Sequence, residues 1–305
     1  MHFIRLIRPV NLLIIVLTMI GVRQYMLQFG GENHASLFNF SLLVLSTVII
    51  AAAGNMINDY FDVRADRVNR PDTVIVGKFI KRRWAIALHW MFNLLAFCVG
   101  LYLGWYYQSF VFLIIHFSSI TCLWWYSVSL KKKPAIGNLV VSALTVLVIY
   151  LTQKFTLMDS LMGEQVMYLS HDRVFDIPSI YIVWIFMGMA FVQNFAREII
   201  KDAEDITGDL VIGARTIPMI IGRTATIRLI GFLLVLFPLI YFTGVLFFFP
   251  RFDWFQGLPI TLAALTNMLA FVVAFFSKQE NAIVLIKRLL KLSMMFGIIY
   301  LFLPQ

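Results

Sequence analysis

Charged residues are scarce in this chain of 305 residues, in which Asp, Glu, Lys and Arg make up 13% and hydrophobic residues 61%. The mean hydropathy is +0.85. A soluble domain of this length needs a polar surface, and so few polar side chains do not supply one. The composition therefore excludes a soluble globular protein and predicts a polytopic membrane protein.

Cysteine is rarer still, with only two residues in the chain. Cys98 and Cys122 both lie inside apolar runs, so we expect them to fill space in a core, and they carry no information about the redox compartment. The apolar N-terminal run lacks the small-residue cleavage site that ends a signal peptide. We therefore interpret it as a first membrane helix that is retained.

Nine apolar segments are long enough to cross a bilayer as helices, which takes about 20 residues each. These segments cover residues 10–29, 38–59, 84–104, 109–130, 136–154, 178–200, 226–249, 257–277 and 288–303. We therefore predict an all-α bundle of nine transmembrane helices that forms one domain over residues 1–305.

The basic residues are distributed unevenly over the connections between these segments. Of the 25 Lys and Arg residues, all but Arg23, Lys154, Arg173 and Arg251 lie in the N-terminus or near 61–83, 130–135, 197–228 and 278–291. The positive-inside bias places these basic connections in the cytoplasm and predicts an integral protein of the cell (inner) membrane. We interpret the net charge of +9 as topogenic and lipid-binding charge. Because the bases are spread over several membrane-proximal segments, we predict no nucleic acid partner.

Two acid-rich segments stand where predicted helices leave the membrane on the cytoplasmic side. The first is NMINDYFDVRADRVNRPD, from Asn55 to Asp72, and the second is REIIKDAEDITGD, from Arg197 to Asp209. The spacing in each segment places a row of polar side chains on one face of a helix. The rows are Asn58, Asp62 and Asp66 in the first segment and Asp202, Asp205 and Asp209 in the second.

Rows of like charge at a membrane boundary need a compensating partner. Two carboxylates about 5 Å apart repel by roughly 3 kcal/mol at an effective dielectric of about 20. Carboxylate oxygens without His or Cys suit a hard ion such as Mg²⁺, which takes phosphate oxygens as further ligands. Two such rows facing one cavity would bind a phosphorylated ligand through metal ions. The alternative is that both rows are solvated helix ends, with acids and bases paired locally.

At these residues the chain resembles the UbiA-type superfamily of intramembrane prenyltransferases, over essentially its whole length. The family motif NDxxDxxxD is present as Asn58, Asp59, Asp62 and Asp66, and it is followed by Asn69, Arg70 and Pro71. The motif DxxDxxxD is present as Asp202, Asp205 and Asp209. A third signature, Tyr-Ser followed by Lys and then Gly-Asn, matches Tyr126, Ser127, Lys131, Gly137 and Asn138.

This resemblance implies a UbiA-type fold of nine helices around a central cavity whose mouth faces the cytoplasm. It also implies Mg²⁺-dependent transfer of a polyprenyl group from its diphosphate to a membrane-associated acceptor. The implied metal ligands are Asn58, Asp62, Asp66, Asp202, Asp205 and Asp209, of which Asp62, Asp66, Asp202 and Asp205 would be catalytic. The implied substrate-binding residues are Asn58, Arg70, Tyr126, Lys131, Arg197 and Lys201.

The acceptor is less constrained by these motifs. The phrases NDYFDVRADRVNRPD and REIIKDAEDITGDLVIGARTIP are most similar to the archaeal-type branch that alkylates the free hydroxyl of geranylgeranylglyceryl phosphate. That similarity implies geranylgeranyl diphosphate as the donor and an ether lipid as the product. Branches that prenylate aromatic rings for quinones or haem share the metal motifs, so an aromatic acceptor is an alternative. A membrane metal-ion transporter that uses the acidic rows is a second alternative.

Overall fold

The protein is described by a computed structural model, which covers residues 2–29, 36–164, 177–248 and 256–304. Within these residues the chain forms eleven α-helices and no β-strand. The helices are α1 (His2–Ile7), α2 (Pro9–Phe29), α3 (Leu37–Asn69), α4 (Arg82–Tyr106), α5 (Phe110–Val128), α6 (Ile136–Glu164), α7 (Ile177–Val211), α8 (Ile217–Ile221), α9 (Arg223–Phe248), α10 (Leu258–Phe276) and α11 (Gln279–Tyr300).

The long helices coincide with the predicted spans, whereas the short helices α1 and α8 lie between them. In the described part of the chain, seven helices are long and apolar enough to cross a membrane, namely α2, α3, α4, α5, α6, α9 and α10. The other two predicted spans correspond to α7 and α11, which carry charged residues beside their apolar stretches. The all-α membrane architecture is therefore confirmed, and the count of nine spans stays a prediction.

The two helices that carry the acidic rows are the longest in the described part of the chain. Helix α3 has 33 residues and α7 has 35, so both continue well past the predicted ends of their spans. Helix α3 ends where Pro71 follows, because a residue before proline is disfavoured in the helical region, and Arg70 accordingly has φ −149°. Helix α7 ends shortly before Gly213, whose φ of +70° is typical of the glycine that terminates a helix.

Helix α6 is longer than the sequence predicts. The span predicted from the sequence ends at residue 154, but the helix runs on to Glu164. Thr156 and Asp159 in this extension are buried inside the bundle, where the Asp159 carboxylate accepts a hydrogen bond of 2.6 Å from the Tyr107 hydroxyl. The predicted end of this span was therefore wrong, and residues 165–176 lie outside the described residues.

Helices α3 and α7 lie at the centre of the packing. Helix α3 contacts α4, α5 and α7, and α7 contacts α6, α9 and α11. Near the acidic row, α7 presents Ala196, Ile199 and Ala203 to a buried apolar cluster that includes Ile230 of α9 and Ile286 of α11. Burial of this apolar surface, at about 25 cal/mol per Å², holds the C-terminal half of α7 in place and with it the second acidic row.

Candidate active site

The ends of α3 and α7 meet, which brings the two acidic segments together as predicted. The Asn69 side chain, at the end of α3, donates to the backbone carbonyl of Asp205 at 3.1 Å. Its carbonyl oxygen accepts hydrogen bonds from the Thr207 hydroxyl at 2.9 Å and from the Gly208 amide at 2.8 Å. One asparagine of the first acidic segment therefore forms hydrogen bonds with three residues of the second segment, Asp205, Thr207 and Gly208.

An ion pair joins the two motifs directly beside this contact. Arg70 Nη2 lies 2.8 Å from Asp205 Oδ1 and 3.1 Å from Asp205 Oδ2. From the sequence, Asp205 is predicted to be a metal ligand and Arg70 a substrate-binding residue. The structure brings these two predicted site residues into contact with each other.

Lys131 reaches into the first acidic row. Its Nζ donates to Asn58 Oδ1 at 3.2 Å and forms an ion pair with Asp62. Burial lowers the pKa of the Lys131 ammonium, an effect that the charge of Asp62 partly offsets. A Cβ at Gly137 would lie 2.7 Å from the Lys131 Cα, so glycine allows the start of α6 to pass beneath this lysine. This close approach explains why a glycine follows Lys131 in the third signature.

Asp59 has a partner that the sequence analysis did not assign. Arg8, in the left-handed conformation between α1 and α2, places Nη2 2.5 Å from Asp59 Oδ1. The sequence offers no local signal for this contact, because the two residues are separated by 51 positions. Asp59 itself belongs to the first motif, and that motif was the only available indication of its place in the site.

The carboxylates of the second row lie in a poorly solvated region. Asn138 Nδ2 donates to Asp202 Oδ2 at 2.8 Å. Burial, reinforced by the charge of Asp209, raises the pKa of Asp202 to about 7. Burial, together with the charges of Asp205 and of Asp62 from the opposite row, raises the pKa of Asp209 to about 6. The site therefore concentrates negative charge that the protein alone neutralises incompletely.

The remaining predicted substrate-binding residues surround a buried acid, Glu198, one turn before Asp202. Lys201 Nζ lies 3.5 Å and Arg197 Nη1 3.9 Å from the Glu198 carboxylate. Tyr126 is close enough to Glu198 and Asp202 for their charges to act on its hydroxyl. Glu198 is not among the site residues predicted from the sequence, although it lies one helical turn before the second acidic row.

Among the described residues, no group of three or more His, Cys, Asp or Glu side chains is gathered closely enough to hold a metal ion as it stands. Three of the predicted metal ligands contact other side chains of the protein instead. Asp62 contacts Lys131, Asp202 contacts Asn138 and Asp205 contacts Arg70. The donor set nevertheless fits a hard divalent cation, since its side chains offer only oxygen ligands from carboxylates and one amide. The ligand roles stay a prediction.

Comparison with known proteins agrees with this arrangement. The sequence profile of the UbiA prenyltransferase family matches residues 14–294. A digeranylgeranylglyceryl phosphate synthase from Methanopyrus kandleri is 33% identical over 256 residues, covering 82% of each chain. A solved structure of digeranylgeranylglyceryl phosphate synthase has a TM-score of 0.64 at 22% identity and covers 99% of this chain and 96% of its own. A UbiA homolog from Archaeoglobus fulgidus, bound to DMAPP and Mg²⁺, has a TM-score of 0.60 at 16% identity, with 99% of each chain covered. The predicted UbiA-type fold is thereby confirmed, and the chain belongs to the UbiA prenyltransferase family.

Proposed function

We propose that this protein transfers a polyprenyl group from its diphosphate to a phosphorylated lipid acceptor, with Mg²⁺ as the cofactor. The donor would be geranylgeranyl diphosphate, and the acceptor the free hydroxyl of geranylgeranylglyceryl phosphate. The observation that carries the proposal is the meeting of two acidic rows, interleaved with basic side chains, at one end of a membrane bundle. The identity of 33% to a digeranylgeranylglyceryl phosphate synthase supports this choice of acceptor.

The site residues suit a ligand with a large negative charge. Asn58, Asp62 and Asp66 on α3 and Asp202, Asp205 and Asp209 on α7 would hold Mg²⁺, as the A. fulgidus homolog bound to DMAPP and Mg²⁺ suggests. When bound, Mg²⁺ supplies positive charge to the departing pyrophosphate. The basic side chains of the site would exchange their carboxylate partners for phosphate oxygens, to which they donate charge-assisted hydrogen bonds. These side chains are Lys131, Arg70 and Lys201.

Prenyl transfer breaks the allylic C–O bond, and pyrophosphate leaves with the electron pair. The acceptor hydroxyl oxygen then forms the new C–O bond, and its proton passes to a nearby base. The basic side chains stabilise the negative charge that develops on the leaving group. The allylic cation has to be kept from water. We expect Phe191 and Phe195, whose stacked rings have centroids 6.2 Å apart and which precede Glu198 on α7, to contribute an apolar wall suited to that task.

The environment of the site follows from the charge distribution of the chain. Because the basic connections are predicted to be cytoplasmic, we propose that the site opens to the cytoplasm in the cell membrane. A prenyl tail gains about 0.8 kcal/mol for each CH₂ group that stays in lipid, so both lipid substrates would be supplied from the bilayer. A metal-ion transporter is less well supported, because transporters bind their substrates near the bilayer midplane, whereas these charges gather at one end of the bundle.

The test is an assay on purified protein in lipid nanodiscs with labelled geranylgeranyl diphosphate, Mg²⁺ and a panel of acceptors. The panel holds geranylgeranylglyceryl phosphate, its dephosphorylated form, a hydroxybenzoate and haem. We expect pyrophosphate release and an ether-lipid product that depend on Mg²⁺ and on the phosphorylated acceptor. Prenylation of an aromatic acceptor alone would overturn the proposed acceptor. Metal-gradient-dependent flux in proteoliposomes without any prenylated product would overturn prenyl transfer itself.

A further inference from the structure

A second basic cleft lies beside the acidic rows, between the ends of α3 and α7 and the starts of α9 and α11. It has a volume of about 600 Å³. Three cations from three helices line it, Arg70 from the end of α3, Arg223 from α9 and Lys287 from α11. Its acids are Glu204 and Asp205, so the charged side chains that line the cleft sum to a net positive charge.

Two cations of this cleft contact oxygen atoms of the protein, and an anionic ligand can replace such a contact. Lys287 Nζ lies 2.6 Å from Glu204 Oε2, and Arg223 Nε donates to the Ala203 carbonyl at 3.0 Å. The side chain of Lys287 is 37% exposed, and exposed ion pairs contribute little to stability. A phosphate dianion can therefore take the place of the carboxylate partner, because it offers more acceptor oxygens and more charge.

A second groove shares Arg223 with this cleft. It has a volume of about 540 Å³ and runs along the start of α9, where Arg223 and Arg228 lie above Leu229 and Phe232. Phe232 is 57% exposed and lies inside the span predicted for α9. Basic side chains at the membrane surface with apolar side chains beneath them match an amphiphile that carries a phosphate on a hydrocarbon chain. Arg223 lines both the groove and the cleft.

We propose that this cleft binds the phosphate of the lipid acceptor, with Arg223 and Lys287 as its main ligands, while the acidic rows serve the donor diphosphate. The proposal rests on the proposed function and assigns a separate site to each of the two anionic substrates, with Arg70 and Asp205 at the boundary between the sites. Asp205 lies between the two sites. It contacts Arg70, which lines the cleft, and its negative charge helps to raise the pKa of Asp209 in the second acidic row. An acceptor fixed by its phosphate in the cleft would present its hydroxyl towards that row.

Kinetics in nanodiscs of purely zwitterionic lipid test this assignment. We expect Lys287→Gln and Arg223→Gln each to raise the KM for the phosphorylated acceptor about tenfold, the loss of one charge-assisted hydrogen bond, and to leave the KM for the donor unchanged. We also expect both variants to lower the ratio of kcat/KM for the phosphorylated acceptor to kcat/KM for the dephosphorylated acceptor. Lys291→Gln, an exposed lysine on the same helix, is the matched control and should change neither KM.

A second comparison separates binding from loss of structure. Glu204→Gln breaks the same ion pair as Lys287→Gln but keeps the cation, so we expect it to leave the acceptor KM unchanged or to lower it. Binding of a non-reactive acceptor whose hydroxyl is methylated, measured in EDTA, should weaken in Lys287→Gln and not in Glu204→Gln. This measurement requires neither Mg²⁺ nor turnover.

Three results would overturn the assignment. The first is an acceptor KM that the cleft variants leave unchanged, and the second is an equal rise in both substrate KM values. The third is an effect that appears only when phosphatidylglycerol is added, which would assign the cleft to bulk anionic lipid. If the unaltered protein forms no prenylated lipid with any phosphorylated acceptor, the proposed function fails, and that result is distinct from all three.

Discussion

Gly208 of α7 lies against Asn69 of α3 so closely that a Cβ at position 208 would come within 2.2 Å of the Asn69 side-chain nitrogen. The same Cβ would lie 2.8 Å from the backbone carbonyl of Ala65, which cannot move unless α3 itself shifts. The second motif therefore contains a glycine because the two acid-bearing helices touch at this position. The register between the two rows depends on that contact.

Gly208→Ala should force the ends of α3 and α7 apart and misplace the two rows relative to each other. We expect prenyl transfer to fall about 100-fold, the loss typical of a displacement of about 1 Å in a catalytic site. Gly188→Ala, on the same helix with open space around the new methyl group, is the control and should retain activity. Equal activity of the two variants would contradict the role assigned to this contact.

Asp62→Asn and Asp205→Asn should each reduce turnover by about 100-fold or more, because each removes a carboxylate predicted to bind Mg²⁺. Both variants should retain the thermal unfolding midpoint of the unaltered protein within a few degrees, since neither residue belongs to the apolar core. Asp72→Asn, an exposed acid that follows the first motif, is the control. Near-normal turnover of either motif variant would show that the ligands are misassigned.

Lys131→Met should remove the cation that contacts Asn58 and Asp62 and so impair the binding and departure of the diphosphate. We expect a loss of about 100-fold in kcat/KM for the donor, with a smaller change in the KM for the acceptor. Lys133→Met, two positions away and exposed, should behave as the unaltered protein. A matching loss in Lys133→Met would point to general surface charge rather than to a specific contact.

Mg²⁺ binding should depend on pH, because burial raises the pKa of Asp202 to about 7 and that of Asp209 to about 6. A carboxyl whose pKa is raised keeps its proton to higher pH, and the proton has to leave before the oxygen binds a cation. We therefore expect the Mg²⁺ affinity to rise between about pH 6 and pH 8, with protons released on binding.

Calorimetry in buffers of different ionisation enthalpy measures this proton release. Asp202→Asn should release fewer protons at about pH 7, since it lacks the acid with the higher of the two pKa values. Mg²⁺ binding with the same affinity across this pH range and without proton release would contradict the prediction.

Much of the fold was predictable because it depends on local or compositional properties. The apolar segments and the uneven distribution of Lys and Arg predict the spans and their orientation, and both properties are read from short stretches of chain. Helical spacing also places Asp202, Asp205 and Asp209 on one face without any knowledge of their neighbours. The extension of α6 was missed because Thr156 and Asp159 look like loop residues until their burial in the bundle is known.

The amino-acid order determines which residues are polar and which face of a helix they occupy. Tertiary packing alone determines which side chains they contact. Arg70 and Asp205 are separated by 135 positions, and Lys131 and Asp62 by 69, so no periodicity connects them. These contacts exist because the apolar faces of α3 and α7 bury against neighbouring helices and thereby bring two distant segments of chain together. The basic cleft of Arg70, Arg223 and Lys287 arises in the same way, since its three cations share no spacing and meet only where three helices converge.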